Sequence, residues 1–444
     1  MTDLLSVEAA LEAVLAGVEG PLPSESLPVT DALGRVLAAP VRAATDLPPW
    51  DNSAMDGYAV RAADVAEASE DRPVRLPVVG EVAAGSVPPR PLEPGEAFRI
   101  ATGAPVPAGA DAVVQVELTT PLDASGLPAG PRGRDATGPL PPACLVHAAV
   151  APGANIRERG DDLRAGSTIL EAGTVLTPSG IAVAAGSGVV EVPVHARPRV
   201  AVLATGDEVV PAGRPLGPAG IPDANGPGIR ALVASAGAEP LDLGIAPDRL
   251  DVVLGRIGSV LTVVDAVIVS GGVSVGPYDV VREAFAALGR VDLWRVAVQP
   301  GKPFAFGVAD RTQAGVAGRS GRVLLFGLPG NPVSGFVTFD LFVRPAIRRL
   351  AGRRDLVDPP DRAVLLDEAT KGSGRRAFLR VVAERDAAGA VVRDDEGRVR
   401  VRLAGRQGSH VLSALALADG YAVIPEHVDR VASGTAVDLR WIER

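Results

Sequence analysis

Only two lysines, Lys302 and Lys371, occur among the 44 basic residues of this 444-residue chain; the other basic residues are arginine. Lys302 lies in Gln299-Pro300-Gly301-Lys302-Pro303, where the prolines stiffen the segment. A compact ammonium held in such a turn suits an oxyanion, and the competing reading is a solvated loop lysine. Lys371, in Thr370-Lys371-Gly372-Ser373-Gly374, reads as an ordinary exposed residue.

A second set of residues is acidic. Asp207, Glu208, Asp248 and Asp279 each follow an apolar run, where they either cap helices or offer the hard oxygen ligands that Mg²⁺ prefers. Between them, Ser270-Gly271-Gly272-Val273-Ser274-Val275-Gly276 supplies glycines, N–H groups and hydroxyls suited to phosphate, or simply a tight turn. Pro329-Gly330-Asn331-Pro332 places Asn331 at an N-cap and Pro332 at the first position of a helix through Phe336, Phe339 and Phe342, which Pro345 kinks or ends. Asp51-Asn52-Ser53-Ala54-Met55-Asp56-Gly57-Tyr58 is a cluster of short polar side chains that fits either a hinge or an active-site loop.

The elements that must position these residues follow from periodicity. Leu4, Val7, Leu11, Val14, Leu15 and Val18 form an apolar helical stripe. Between about 199 and 350, continuous apolar runs (Val200 to Ala204, Leu241 to Ile245, Ala266 to Val269, Val323 to Phe326) alternate with helical segments, which predicts a parallel-rich sheet covered on both faces. Ligands bind beyond the carboxyl ends of such strands, where the candidate loops fall. Residues 46–147 read as a β-rich domain in which 121–142, rich in Gly and Pro, is a mobile excursion. From about 359 short alternating runs predict a β-barrel or sandwich.

Composition removes several function classes. The formal charge of −9 disfavours nucleic acid and anionic membranes as partners. One cysteine, Cys144, and four scattered histidines exclude an intrachain disulfide and the usual zinc patterns. With acidic residues at the N-terminus and no apolar run long enough to span a bilayer, the expectation is a cytoplasmic protein.

Seven motifs in order resemble the MoeA family of molybdopterin molybdenumtransferases, related to the gephyrin E domain. They are Asp51 to Ala59, Arg99-Ile100-Ala101-Thr102-Gly103-Ala104-Pro105, Thr205-Gly206-Asp207-Glu208, Ser270 to Gly276, Pro300-Gly301-Lys302-Pro303, Leu328 to Ser334, and Gly408-Ser409-His410. The resemblance implies an elongated homodimer of four-domain subunits. The domains would be a discontinuous linker (1–45 and 148–180), a β-rich insertion (46–147), a molybdopterin-binding α/β domain (181–352) and a C-terminal β-barrel (353–444). It implies insertion of molybdenum, supplied as molybdate, into adenylylated molybdopterin with Mg²⁺-dependent release of AMP. The preceding adenylylation step, a tungsten variant and a gephyrin-like scaffold are the alternatives; the adenylyltransferase and molybdoenzyme apoproteins are the implied further partners.

By motif, Asp56, Thr102, Glu208, Asp248, Asp279 and Lys302 would be catalytic, with Asp56 and Thr102 acting on the other subunit's site. Glu208, Asp248 and Asp279 would hold Mg²⁺, and Asp207, Ser270, Gly271, Gly272, Ser274, Pro329, Asn331 and Pro332 would bind molybdopterin or its adenylate. Gln299, Lys302, Pro303, Ser334, Arg375 and Ser409 would bind molybdate. Two departures stand out: Gln299 where relatives often carry Lys, and Pro222-Asp223-Ala224-Asn225 where they carry Tyr-Asp-Thr-Asn.

Overall fold

The computed structural model describes residues 4–133, 138–272, 280–311 and 321–442. The chain forms two compact units, Met1–Ala39 with Glu171–Thr177 and Val192–Arg444, and Pro40–Leu170 with Pro178–Glu191. Among the described residues no helix is long and apolar enough to cross a membrane.

In the first unit, helix α1 (Val7–Ala16) is N-capped by Ser6, whose Oγ accepts from the Ala9 N–H at 3.1 Å. Its buried face, Val7, Ala10 and Val14, joins the core of an α/β domain. That domain runs β1 (Arg199–Thr205), α2 (Asn225–Ser235), β2 (Glu239–Ala246), α3 (Leu250–Gly258), β3 (Ala266–Ser270), α4 (Val280–Leu288), β4 (Gly289–Arg295), β5 (Pro303–Asp310), β6 (Arg322–Leu328) and α5 (Pro332–Thr338). The sheet order is β2-β1-β3-β6-β5-β4. The first four strands are parallel, and β5 and β4 extend the sheet antiparallel.

The strands read as unbroken apolar runs because both faces are covered. Val200, Val202, Ile268, Leu324 and Phe326 face one core, whereas Ala201, Leu203, Val267, Val269 and Leu325 face the other. Pro345 does not end the last helix. A π turn over Phe339–Val343 precedes the helical turn Arg344–Leu350, and this wider turn absorbs the N–H that proline lacks.

Five strands, Arg376–Ala383, Val399–Leu403, Asp361–Leu365, Thr435–Trp441 and Gly420–Ile424, close into a barrel because the last pairs back with the first. Ala377, Leu379 and Val381 fill its interior. Phe378 and Tyr421 point the other way and join the α/β core, their rings edge-to-face at 6.4 Å. The pair Val298–Gln299 adds a short parallel strand beside Arg376–Ala383, so the segment leading to Lys302 is tied to the barrel.

The second unit is built on a six-stranded sheet in the order Ala112–Gln115, Gly57–Val60, Ala97–Ile100, Val74–Val82, Ala143–Val146, Thr119–Leu122. The stretch read from sequence as a loose excursion is anchored on both sides of residues 134–137, which lie outside the described residues. Arg132 pairs bidentately with Glu70 at 2.6 and 2.7 Å, and the Gly138 carbonyl accepts from Arg99 at 2.8 Å.

Candidate active site

The carboxyl ends of the parallel strands open on a cleft of about 260 Å³. Thr205, Gly206 and Glu208 enter it after β1, Asp248 after β2, Ser270, Gly271 and Gly272 after β3, and Gly330, Asn331 and Pro332 after β6. Asp223 and Asn225 line it from the start of α2. Gly271 must be glycine: its φ is +103°, and a Cβ would lie 2.4 Å from the Thr205 carbonyl. The floor is cross-linked by Asn225, whose Nδ2 donates at 2.8 Å to both Ser270 Oγ and the Gly330 carbonyl. Asp223 Oδ1 accepts from the Gly226 N–H at 2.8 Å and thereby holds the first turn of α2, although Ala224 occupies the cap position itself. The two polar residues kept in the departing Pro222-Asp223-Ala224-Asn225 run therefore do the local structural work.

The cleft rim is acidic. Asp248 donates its backbone N–H to Asp207 Oδ1 at 3.2 Å. Burial, followed by the charges of Asp207 and Glu208, holds the Asp248 carboxyl above the usual carboxylate range. Among the described residues none of these three carboxylates has a Lys or Arg partner, and no group of three or more His, Cys, Asp or Glu is arranged around a single point. Ser274 and Asp279 lie outside the described residues.

A second group gathers beside this cleft. Gly301, with φ of +116°, packs against α5: a Cβ there would meet Thr338 Cγ2 at 2.7 Å and the Ser334 carbonyl at 3.5 Å. This contact holds the turn that carries Lys302 and Pro303 against α5, and Lys302 is exposed with no ion-pair partner among the described residues. Ser334 is buried in the same helix. The Ser409 carbonyl accepts from the Val333 N–H at 3.3 Å, which brings the Gly408-Ser409-His410 turn to the first turn of the same helix.

Gln299 Oε1 accepts from the Gly372 N–H at 3.1 Å, so this side chain secures the loop that carries Arg375. Arg376 is committed elsewhere, to Glu8 and, at 2.9 Å, to Glu426. Arg375 carries no such pair among the described residues. Lys371 departs from the expectation of an ordinary surface residue. Its Nζ donates to the carbonyls of Arg375, Glu426 and Gly372 at 2.7, 3.1 and 3.3 Å, closing the loop. Desolvation depresses the ammonium pKa.

Sequence reasoning passed over Arg380. It is fully buried, and its Nη2 donates to the Arg406 and Gly408 carbonyls at 3.1 and 3.2 Å, immediately before Ser409. Nε and Nη1 are buried and make no hydrogen bond among the described residues, and burial depresses its pKa. The signal lay in an arginine set within the apolar run Ala377 to Ala383, otherwise made of Ala, Phe, Leu and Val.

Asp56 and Thr102 meet in the second unit, where Thr102 donates both its N–H (2.7 Å) and its hydroxyl (3.0 Å) to Asp56 Oδ1. The two motifs that carry them are zipped together by hydrogen bonds from the N–H groups of Ser53, Gly103 and Val106 to the carbonyls of Ala104, Ser53 and Asp51. Gly57 allows the arrangement, since a Cβ there would fall 2.0 Å from the Val114 carbonyl. Both Asp56 and Thr102 are exposed.

An α/β domain with an acidic, glycine-lined cleft, joined to a β-barrel, matches known domain families in order. Residues 5–188 match the MoeA N-terminal region (domain I and II), 201–349 a probable molybdopterin binding domain, and 362–440 the MoeA C-terminal region (domain IV). A protein of Mycobacterium tuberculosis named molybdopterin molybdenumtransferase 2 is 37% identical, over 93% of this chain and 94% of its own length. The molybdopterin molybdenumtransferase of Haemophilus influenzae is 32% identical over 98% of each chain. The crystal structure of the molybdopterin biosynthesis MoeA protein from Pyrococcus horikoshii superposes with a TM-score of 0.76 at 28% identity, covering 99% of this chain and 100% of that one. The chain belongs to the MoeA family.

Proposed function

We propose that this chain is a molybdopterin molybdenumtransferase: it takes adenylylated molybdopterin and molybdate, releases AMP and yields the molybdenum cofactor. The observation that carries this reading is a glycine-lined cleft with an acidic rim whose Asn331-Pro332 edge leads into the helix that bears Ser334, meets the Ser409 turn and packs against the Lys302 turn. Two anions must be brought together, and the protein's contribution is positioning and electrostatic neutralisation. The relatives match almost the whole length of the chain, which favours molybdenum insertion over the adenylylation step expected of an α/β domain alone.

In the cleft, Ser270, Gly271, Gly272, Asn331 and Pro332 hold the molybdopterin and its phosphates, with Ser274 and Pro329 in the same role. Beside it, Lys302 and Arg375, with hydroxyls from Ser334 and Ser409, hold molybdate; Pro303 fixes the lysine turn and Gln299 the arginine loop. Arg380 adds an uncompensated charge directly behind Ser409. The crowded, all-oxygen rim fits Mg²⁺, which takes one or two carboxylates and completes its shell with phosphate and water. Glu208 and Asp248 would hold that ion, with Asp279 as a third ligand and Asp207 orienting Asp248. When bound, it would neutralise the adenylate phosphates.

The proposal further has the chain work as a homodimer in which Asp56 and Thr102 complete the site of the second subunit, in the cytoplasm where both substrates are dissolved. The supporting feature is a preorganised carboxylate, held by two donors of Thr102, standing exposed on the second unit. It assigns 1–45 with 148–180, 46–147, 181–352 and 353–444 to four domains. Cofactor synthesis from purified adenylylated molybdopterin, Mg²⁺ and molybdate tests the function. At limiting molybdate, Lys302→Ala and Asp56→Ala subunits should each lose most of the activity and should recover part of it when mixed and exchanged. Consumption of free molybdopterin and ATP, or binding without release of AMP, would overturn the reading.

A further inference from the structure

Two buried polar atoms lining the cleft make no hydrogen bond among the described residues: Thr205 Oγ1 and Asn225 Oδ1. A polar atom dried without a partner weakens the folded state, and a ligand that supplies the partner recovers that cost. The orientation of Asn225 is fixed by its neighbours. The Gly330 carbonyl can only accept, which places Nδ2 on that side and leaves Oδ1 directed away from it. An amide oxygen accepts only, so it repels phosphate oxygens and calls for an N–H or O–H donor. The Thr205 hydroxyl stands against Gly271 and Gly272, at the inner end of β1, and can donate or accept.

We propose that Asn225 Oδ1 and Thr205 Oγ1 together read the N–H-bearing edge of the substrate's nitrogen heterocycle, leaving the phosphates to the rest of the cleft. This rests on the cleft being the molybdopterin site. A donor nitrogen adjacent to a ring acceptor satisfies both atoms, and the pterin and the adenine of the substrate each carry such an edge.

The test uses the full chain with Thr205→Val, which keeps shape and removes only a hydroxyl without a protein partner, and Thr205→Ser, which keeps the hydroxyl. Calorimetry would measure binding of adenylylated molybdopterin, 6-hydroxymethylpterin, AMP and inorganic pyrophosphate. Thr205→Val should weaken the adenylylated substrate and one of the two ring probes about tenfold, as for one hydrogen bond. Thr205→Ser should restore them, with pyrophosphate binding and the melting temperature unchanged or the latter raised. The ring probe that weakens identifies the ring held. Unchanged affinity for both rings in Thr205→Val, or an equal loss for pyrophosphate, overturns the recognition role alone. Failure of the wild-type chain to bind the adenylylated substrate overturns the cleft assignment and the inference with it.

Discussion

Gly301→Ala tests whether the lysine turn is held against α5 by close packing. Gly301 has φ of +116°, outside the regions open to L-residues, and adopting it costs an alanine about 1–3 kcal/mol. The added methyl would sit 2.7 Å from Thr338 Cγ2, far inside the roughly 3.5–4.0 Å of an ordinary carbon contact. Thr338 cannot easily yield, because it is fully buried and its hydroxyl donates to the Ser334 and Gly335 carbonyls at 2.8 and 3.1 Å. Such overpacking adds about 1–3 kcal/mol. The expected loss is therefore about 2–6 kcal/mol, which lowers the melting temperature by roughly 4 to 24 °C at about 2–4 °C per kcal/mol.

The partner atom separates close packing from general damage. Thr338→Ser removes the opposing methyl and keeps the hydroxyl, so Gly301→Ala/Thr338→Ser should recover the packing part of the loss and leave the backbone part. Melting curves of the four proteins give the coupling, and the KM for molybdate should follow it, because displacement of the turn carries Lys302 with it. A Gly301→Ala protein of wild-type stability, or a double variant as damaged as the single, would refute the packing argument.

Asp248 and Thr102 yield further predictions. Since its carboxyl pKa is raised in the folded chain, Asp248 favours folding below its unfolded pKa, and that contribution fades as pH rises through its folded pKa. Asp248→Asn should therefore melt at or above the wild-type temperature at pH 7 while losing activity, and an acid limb set by Asp248 should move to lower pH in Asp207→Asn. A fall in melting temperature, or an unmoved limb, would contradict the crowding of these charges. Thr102→Val removes one of two donors to Asp56 while keeping the backbone one, so kcat should fall roughly tenfold, as for one lost hydrogen bond, with the melting temperature unchanged. Loss of fold instead would assign the pair a structural role.

Much of this arrangement is legible in the sequence because the physics is local. The parallel strands are visible as unbroken apolar runs, since both faces of the sheet are covered, and the loops at their ends carry the polar residues. The antiparallel pair β4 and β5 escaped notice because its alternation is diluted by Gly289 and Gly307 and by Pro303. Lys371 was misjudged for a different reason: its partners are backbone carbonyls, one of them 55 residues away at Glu426, and carbonyls leave no mark in a sequence. Arg380 and Thr205 matter through atoms left without partners, a property that exists only once the chain has packed. Asn225 lies between these cases, since its presence was evident but its bridge between Ser270 and Gly330 depends on loops from β3 and β6 meeting.

The most direct test of the central claim is a single turnover with enzyme in excess of adenylylated molybdopterin, in the presence of Mg²⁺, following AMP and dithiolene-bound molybdenum together as molybdate is raised. AMP and metal-loaded product should form in equal amounts, with molybdate saturation moved to higher concentration by Lys302→Ala and by Ser409→Ala. AMP released without metal insertion, or a molybdate dependence untouched by both substitutions, would contradict that claim.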